Sequence, residues 1–173
     1  MRMVQDMIAK IFITVSIVSL LAGCASVTRE LSSFGDSSVS SDDLAYASYY
    51  SNDQLVKEGK VQFRERNYGK SYSLFKKAAS VYPNDPMAWL GYAASSDHLA
   101  RFDNSDQAYQ RLSSMIPNRP AYLNNVGYSY LLRGNLVQAR RYFLKAYEID
   151  PANETTANNL ELLRNSTTSI QRG

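Results

Sequence analysis

The chain has 173 residues, of which 45% are hydrophobic and 20% are charged, a composition typical of one globular domain with an appended segment. Its 19 basic and 16 acidic residues are mixed along the chain and give a formal charge of +3. A nucleic-acid-binding protein usually concentrates positive charge on one face or in one run, so this balance argues against nucleic acid as a partner. Thirteen tyrosines against a single tryptophan are unusual.

The first 23 residues have the pattern of an export signal. Arg2 and Lys10 precede an apolar run over residues 11–22, and the run ends in small residues. As a helix this run would span roughly 18 Å. The hydrocarbon core of a bilayer is about 30 Å thick, so the run is too short for a transmembrane anchor. Asp6 is unusual in a basic start, and translation from Met7 would give a cleaner signal.

The only cysteine of the chain, Cys24, directly follows this run. A lone thiol cannot form an intrachain disulfide, and the single histidine, His98, lies far away in sequence. The segment Leu21-Ala22-Gly23-Cys24 resembles the lipobox of bacterial lipoproteins. This resemblance implies attachment of diacylglycerol to the Cys24 thiol and cleavage of the signal before it. From the residues alone, an ordinary signal with a chance cysteine stays open.

The same resemblance implies a mature chain that begins at Cys24 and is held on a membrane. Two or more acyl chains, such as palmitate, anchor a protein stably. Ala25 stands where an aspartate would imply retention in the inner membrane, so we expect the outer membrane, with the protein facing the periplasm. Residues 24–51 are rich in serine and aspartate and predict a flexible tether, with a short helix over Asp42–Tyr50 capped by Ser41.

An internal period of 34 residues organises the rest of the chain. Pro83, Pro117 and Pro151 recur at this spacing. Setting them at position 32 of a unit gives units 52–85, 86–119 and 120–153. Other columns then agree: position 8 always holds a small residue and position 24 always an aromatic one. Position 8 reads Gly59, Ala93 and Gly127, and position 24 reads Phe75, Tyr109 and Phe143.

This pattern resembles the tetratricopeptide repeat, which implies two antiparallel helices in each unit. We therefore predict an all-α solenoid of three helix pairs, in which small residues let helices approach closely. Gly127 should face the partner helix of its own unit. Gly134-Asn135 predicts the turn inside the third pair. Residues 154–164 predict a capping helix, and the polar residues 165–173 predict a disordered tail.

The sequence offers no catalytic site, metal site or cofactor motif. One histidine and one cysteine do not supply a nucleophilic triad or a histidine-based metal site. The glycines are dispersed, without a phosphate-binding loop. We therefore predict a protein-binding role and no enzyme. His98 falls at position 13 of the second unit, on the predicted concave side, where a contact with a partner and plain solvation are both open.

The first helices of this repeat line its concave surface, and here they carry large apolar side chains that the packing columns do not require. An exposed cluster of this kind is typical of a binding surface, and a groove suits a helix or an extended peptide. The open alternative is that residues 42–50 or the cap fold over the cluster. The predicted partner-binding residues are Val56, Lys60, Phe63, Arg64, Asn124, Tyr128, Leu131 and Leu132.

Chaperone-binding members of the repeat family hold a carboxylate in a clamp, and this chain does not match it. Of the corresponding positions, only Lys60 is basic. The others are Val56, Gly91, Ala121 and Asn125.

The whole architecture most resembles the TadD-type lipoproteins of tight-adherence (Flp) pilus systems. The likeness lies in the few repeats, the short serine-rich tether and the NNLELL cap. It implies assistance in assembling the pilus secretion apparatus, with its outer-membrane secretin as a partner. The alternatives are a pilotin of ordinary type IV pili and an adaptor that presents cell-wall hydrolases, with an enzyme as the remote one.

Metabolic labelling with a clickable fatty acid tests the lipid prediction. We expect label on the wild type and none on Cys24→Ser, because only the thiol accepts the diacylglycerol. On a sucrose gradient the wild type should migrate with outer-membrane markers. Equal labelling of both proteins would contradict the lipoprotein interpretation, and recovery with the inner membrane would contradict the argument from Ala25.

Overall fold

The computed structural model describes residues 41–170, which form a succession of α-helices without a strand over that range. Short 3-10 turns at Ala47–Tyr49 and Asn52–Gln54 join the first two helices. The predicted signal 1–23, Cys24 and the tether up to residue 40 lie outside the described residues. The helices are α1 (Ser41–Tyr46), α2 (Leu55–Arg64), α3 (Tyr68–Val81), α4 (Pro86–His98), α5 (Phe102–Met115), α6 (Pro120–Leu132), α7 (Leu136–Ile149) and α8 (Glu154–Ile170).

Three helix pairs, α2–α3, α4–α5 and α6–α7, make up the body of the fold and confirm the predicted all-α solenoid. Very short turns separate the two helices of each pair, which makes the helices antiparallel neighbours. The first helices of successive pairs also contact one another. Pro86 and Pro120 occupy the first turns of α4 and α6, where a missing N–H costs nothing.

In the first and third pairs, an aromatic ring of the second helix packs directly against a glycine of the first helix. A Cβ added at Gly127 would lie 2.5 Å from the ring of Phe143, which belongs to the partner helix of the same pair and is fully buried. The prediction for Gly127 is therefore confirmed. Gly59 stands in the same relation to Phe75, at 3.0 Å. Any larger residue would force the helices apart.

The segment around α1 closes the N-terminal end of the solenoid by packing on α3. Ala47 is buried, and Lys77 Nζ donates hydrogen bonds to the carbonyl oxygens of Ala47 and Tyr50, at 3.0 and 3.3 Å. The hydroxyls of Tyr46 and Tyr50 are 2.7 Å apart. The segment thus covers α3 and also reaches the beginning of α2, where Tyr46 Oη donates to Glu58 Oε1 at 3.4 Å.

The C-terminal cap, α8, packs on α7 and α6 and is longer than predicted. It runs to Ile170, so residues 165–170 are helical and the prediction of disorder there is wrong. The physical reason is local. No glycine or proline interrupts the segment, and Asn165 Nδ2 donates to Glu161 Oε1 one turn earlier, at 3.3 Å.

The turn inside every pair contains one residue in the left-handed region. These residues are Arg66, Ala100 and Gly134, with φ of 63°, 54° and 75°, and all three stand at position 15 of their units. Only the third unit places glycine there, as predicted for Gly134-Asn135. The first two turns therefore carry steric strain that a glycine would avoid.

Substitutions at these positions should affect stability differently. Gly134→Ala should lower the free energy of unfolding by about 1 kcal/mol through backbone strain. Apart from the residue itself and its two chain neighbours, no atom lies within 4 Å of the added Cβ, so the strain is confined to the local backbone. Ala100→Gly should leave stability unchanged or raise it by up to about 1 kcal/mol. Urea denaturation measures both, and an equal loss in the two variants would contradict the strain.

Candidate protein-binding groove

The first helices α2, α4 and α6 jointly line an open groove of about 370 Å³. Its floor is apolar and includes Phe63, Phe75 and Leu90. Met87, which is 42% exposed, also lines it. The exposed cations Lys60 and Arg64 lie on the α2 side. The groove therefore combines an apolar floor with positive charge along one wall.

Gly91 keeps this floor open. The ring of Phe75, from the preceding unit, lies so close to Gly91 that an added Cβ would clash with it. Phe75 itself is only 2% exposed, so the ring is wedged between two units. The floor at this point consists of backbone and a ring edge, because no side chain stands at Gly91.

Four of the five positions compared with the carboxylate clamp meet in this groove. They are Lys60, Gly91, Ala121 and Asn125. Because only Lys60 carries a charge, the surface that holds a carboxylate in other repeats is here mostly apolar. The fifth position, Val56, is half-buried against the N-terminal core beside Tyr46 and Tyr50.

The predicted residues of the third unit do not join the groove. The prediction for Asn124 is wrong, because Asn124 is only 3% exposed. Its Nδ2 donates to Thr156 Oγ1 at 2.8 Å, and its Oδ1 accepts from Asn159 Nδ2 at 3.3 Å. The physical reason is that α8 lies over this face of α6 and satisfies the Asn124 amide from its own side chains.

The C-terminal cap also takes up part of the predicted apolar cluster. Tyr128 and Leu131 are half-buried and pack in the same cluster as Phe143 and Leu163. Leu132 remains 42% exposed, outside the groove. The alternative that the cap folds over these residues is thus correct for Tyr128 and Leu131, whereas Lys60, Phe63 and Arg64 stay open.

His98 joins the three units through aromatic contacts. Its ring stacks on Tyr68 at a centroid distance of 4.1 Å and meets Phe63 at 5.3 Å and Tyr128 at 5.8 Å. Burial lowers the pKa of the His98 imidazole, and the nearby Asp97 carboxylate partly offsets this effect. His98 is therefore a packing residue. Residues 41–170 contain no group of three or more His, Cys, Asp or Glu placed to hold a metal ion.

A buried carboxylate, which the sequence analysis missed, ties the second unit to the third. Asp97 is 3% exposed and accepts hydrogen bonds from Ser129 Oγ at 2.7 Å and from Tyr109 Oη at 2.8 Å. Arg133 Nη2 lies 3.9 Å from Asp97 Oδ1. Burial raises the pKa of the Asp97 carboxyl, against the opposing effect of these hydrogen bonds and of Arg133. No motif marks Asp97, since its partners lie on other helices.

The comparison with known proteins identifies the repeat. Residues 120–153 match the family model of the tetratricopeptide repeat, the same bounds as the third predicted unit. The chain folds as a short tetratricopeptide-repeat solenoid. One curated relative is the small glutamine-rich tetratricopeptide repeat-containing protein 2 of Mycosarcoma maydis, 26% identical over 115 residues, or 66% of this chain. The match spans 31% of that protein's length.

Solved tetratricopeptide domains share the fold at low identity. The first such domain of Spaghetti (RPAP3), bound to the HSP90 peptide SRMEEVD, aligns with a TM-score of 0.57 at 15% identity, over 68% of this chain and 93% of that one. The type III secretion translocator chaperone SycD of Yersinia enterocolitica aligns with a TM-score of 0.56 at 18% identity, over 75% and 97%. No helix within residues 41–170 of this solenoid has the length and apolar character to cross a membrane.

Removing the buried carboxylate should destabilise the solenoid. Asp97→Ala should lower the free energy of unfolding by about 1–3 kcal/mol, because the hydroxyls of Tyr109 and Ser129 lose a buried acceptor. Asp97→Asn should cost less. The amide keeps one acceptor oxygen, and Tyr109 Oη can donate to the carbonyl oxygen of Asn125, 3.2 Å away.

The wild type and Asp97→Asn should differ in their response to pH. Because the folded-state pKa of Asp97 is raised, the native state binds the proton more tightly than the unfolded state does. The wild type should therefore gain stability relative to Asp97→Asn as the pH falls towards about 4, and lose it as the pH rises through the folded pKa. Urea denaturation at pH 7 and pH 4.5 measures the stability of both proteins. The same stability difference at both pH values would contradict a folded-state pKa of Asp97 that is raised by burial.

Proposed function

We propose that this chain is a lipid-anchored periplasmic scaffold of the TadD type, which assists assembly of a pilus or secretion apparatus and acts on its outer-membrane secretin. A tetratricopeptide solenoid is a protein-interaction module, and the open groove on α2, α4 and α6 is the observation that carries the proposal. The groove is large enough for side chains of a bound segment and is left open by both caps.

The chemistry of the groove defines the segment that it would bind. Phe63, Phe75 and Leu90 favour a bulky apolar side chain. Lys60 and Arg64 stand one turn apart, and neither forms a salt bridge with a described residue. They favour an acidic residue next to the apolar one, since opposite charges steer association and fix register. The partner segment is thus apolar and acidic.

Two of the structural neighbours support this use of the fold. The Spaghetti domain holds a peptide, SRMEEVD, with acidic residues. SycD is a chaperone of a secretion translocator in a bacterium. The lipobox at Leu21-Ala22-Gly23-Cys24 supports the anchor and the periplasmic location. Residues 24–40 would then serve as the tether between the lipid and the solenoid.

Variants at the groove test this proposal. Ala121→Trp should block the groove, because Ala121 is exposed and lines it. Lys60→Glu with Arg64→Glu should repel an acidic segment. Both proteins should lose co-purification with the secretin by at least tenfold. Their stability should stay within about 0.5 kcal/mol of the wild type, as is usual for surface positions.

Matched substitutions elsewhere provide the controls. Ala157→Trp places the same side chain on an exposed position of α8, and Lys57→Glu reverses an exposed charge on α2 outside the groove. Both should retain the secretin. If Ala121→Trp retained the secretin, the partner would bind outside the groove. If Cys24→Ser stayed with the outer membrane, the anchor rather than the groove would be wrong.

A further inference from the structure

Three tyrosines of the third unit occupy positions where the second unit has alanine or serine. The positions are 3, 11 and 23 of the repeat. The pairs are Tyr122 with Ala88, Tyr130 with Ser96, and Tyr142 with Ala108. The small residues of the second unit are all fully buried, so the helices pack there without aromatic rings. In the third unit, Tyr122 belongs to the hydrophobic core, and Tyr130 and Tyr142 pack against it.

These tyrosines surround a cavity of about 180 Å³ between α5, α6 and α7, which we call the tyrosine pocket. It lies on a different face of α6 from Ala121 and Asn125, which line the groove. One water needs only about 10–15 Å³ of such space, so the pocket is larger than a site for a single bridging water.

Three of the four tyrosine hydroxyls around the pocket lack protein partners. Tyr122 is only 8% exposed, yet its hydroxyl makes no hydrogen bond with a described residue, and the same holds for Tyr130 and Tyr142. By contrast, the hydroxyl of Tyr109 in the same wall is bonded to Asp97. None of these three hydroxyl oxygens is fully buried, so each of them also reaches solvent. The pocket thus presents unused donors to a ligand.

The charged groups of the pocket are paired with each other. Arg133 Nη2 lies 2.6 Å from Asp106 Oδ1, and Arg133 Nη1 lies 2.9 Å from Asp106 Oδ2. This bidentate pair leaves neither a free cation for an anionic ligand nor a free carboxylate for a cationic one among the described residues of the pocket. The remaining wall is aromatic, with Tyr130 and Tyr142 stacked at 5.6 Å and 21°. The pocket therefore fits an uncharged ligand that packs on flat rings.

We propose that the tyrosine pocket binds a proline-rich segment of a partner protein in the polyproline II conformation. Proline rings pack on aromatic faces, and the exposed carbonyls of this conformation accept hydrogen bonds from phenol hydroxyls. Proline has no N–H, so it needs no acceptor from the pocket. A glycan also packs on flat rings, and the phenol oxygens and the Gln110 amide can accept from it, so a glycan is the competing ligand in the test. This second site is independent of the groove.

The experiment uses the full-length chain with 13C-labelled tyrosine rings, observed by NMR. The probes are capped octaproline, a capped Ala-Ser repeat of the same length, and chitohexaose. Octaproline should shift the ring signals of Tyr122, Tyr130 and Tyr142 with saturation, and the other two probes should not. Tyr130→Ser and Tyr142→Ala introduce residues that the second unit itself uses, and each should weaken octaproline binding at least tenfold.

Further variants separate the ring from the hydroxyl and binding from folding. Tyr130→Phe keeps the ring and should weaken binding roughly three- to tenfold, the loss expected for one hydrogen bond. Tyr49 lies outside the pocket and is 81% exposed. The Tyr49→Ala variant should therefore bind octaproline as the wild type does. Unchanged affinity in Tyr142→Ala and Tyr130→Phe would overturn the proposal. Saturable shifts with chitohexaose alone would overturn the assignment to a proline-rich segment.

Discussion

The solenoid depends on the direct packing of aromatic rings against glycines of neighbouring helices. Phe143 fills the space that a Cβ at Gly127 would occupy, and Phe75 does the same for Gly59. Phe75 also reaches Gly91 of the next unit, so one ring holds a pair together and spaces two units. The same contact forms the floor of the groove. Stability and the shape of the binding surface therefore rest on the same atoms.

The two candidate binding surfaces share helix α6 but differ in chemistry. The groove is apolar with cations on one wall, whereas the tyrosine pocket is aromatic with its charges neutralised. The buried carboxylate of Asp97 accepts hydrogen bonds from Tyr109 and Ser129, which both line the pocket. This network fixes the second unit against the third, and so holds α5 and α6, two of the three helices around the pocket, in place.

Repeat periodicity predicted the parts of this fold that recur and failed at its end. The columns placed the helix pairs, the contact of Gly127 and the turn at Gly134. The same periodicity assigned Asn124 to the open surface, because position 5 of this repeat faces the concave side, as Leu90 does in the second unit. At the last unit α8 covers that position, and a repeat pattern carries no information about a helix that packs beyond the last repeat. The predicted α8 was too short because residues 165–170 are polar, which is typical of a disordered tail. The prediction did not count side-chain contacts one helical turn apart, such as that of Asn165 with Glu161.

The sequence by itself determined the period, the turn at Gly134-Asn135 and part of the groove on α2, because these depend on residues at fixed spacings within one unit. Lys60, Phe63 and Arg64 could be assigned to the groove for that reason. Only the tertiary structure decided that Asp97 is buried, that His98 packs on Tyr68, and which tyrosine hydroxyls are left without partners. The partners of Asp97 come from helices 12 and 32 residues away. The state of a buried polar group depends on which atoms surround it, and that arrangement exists only once the helices have packed.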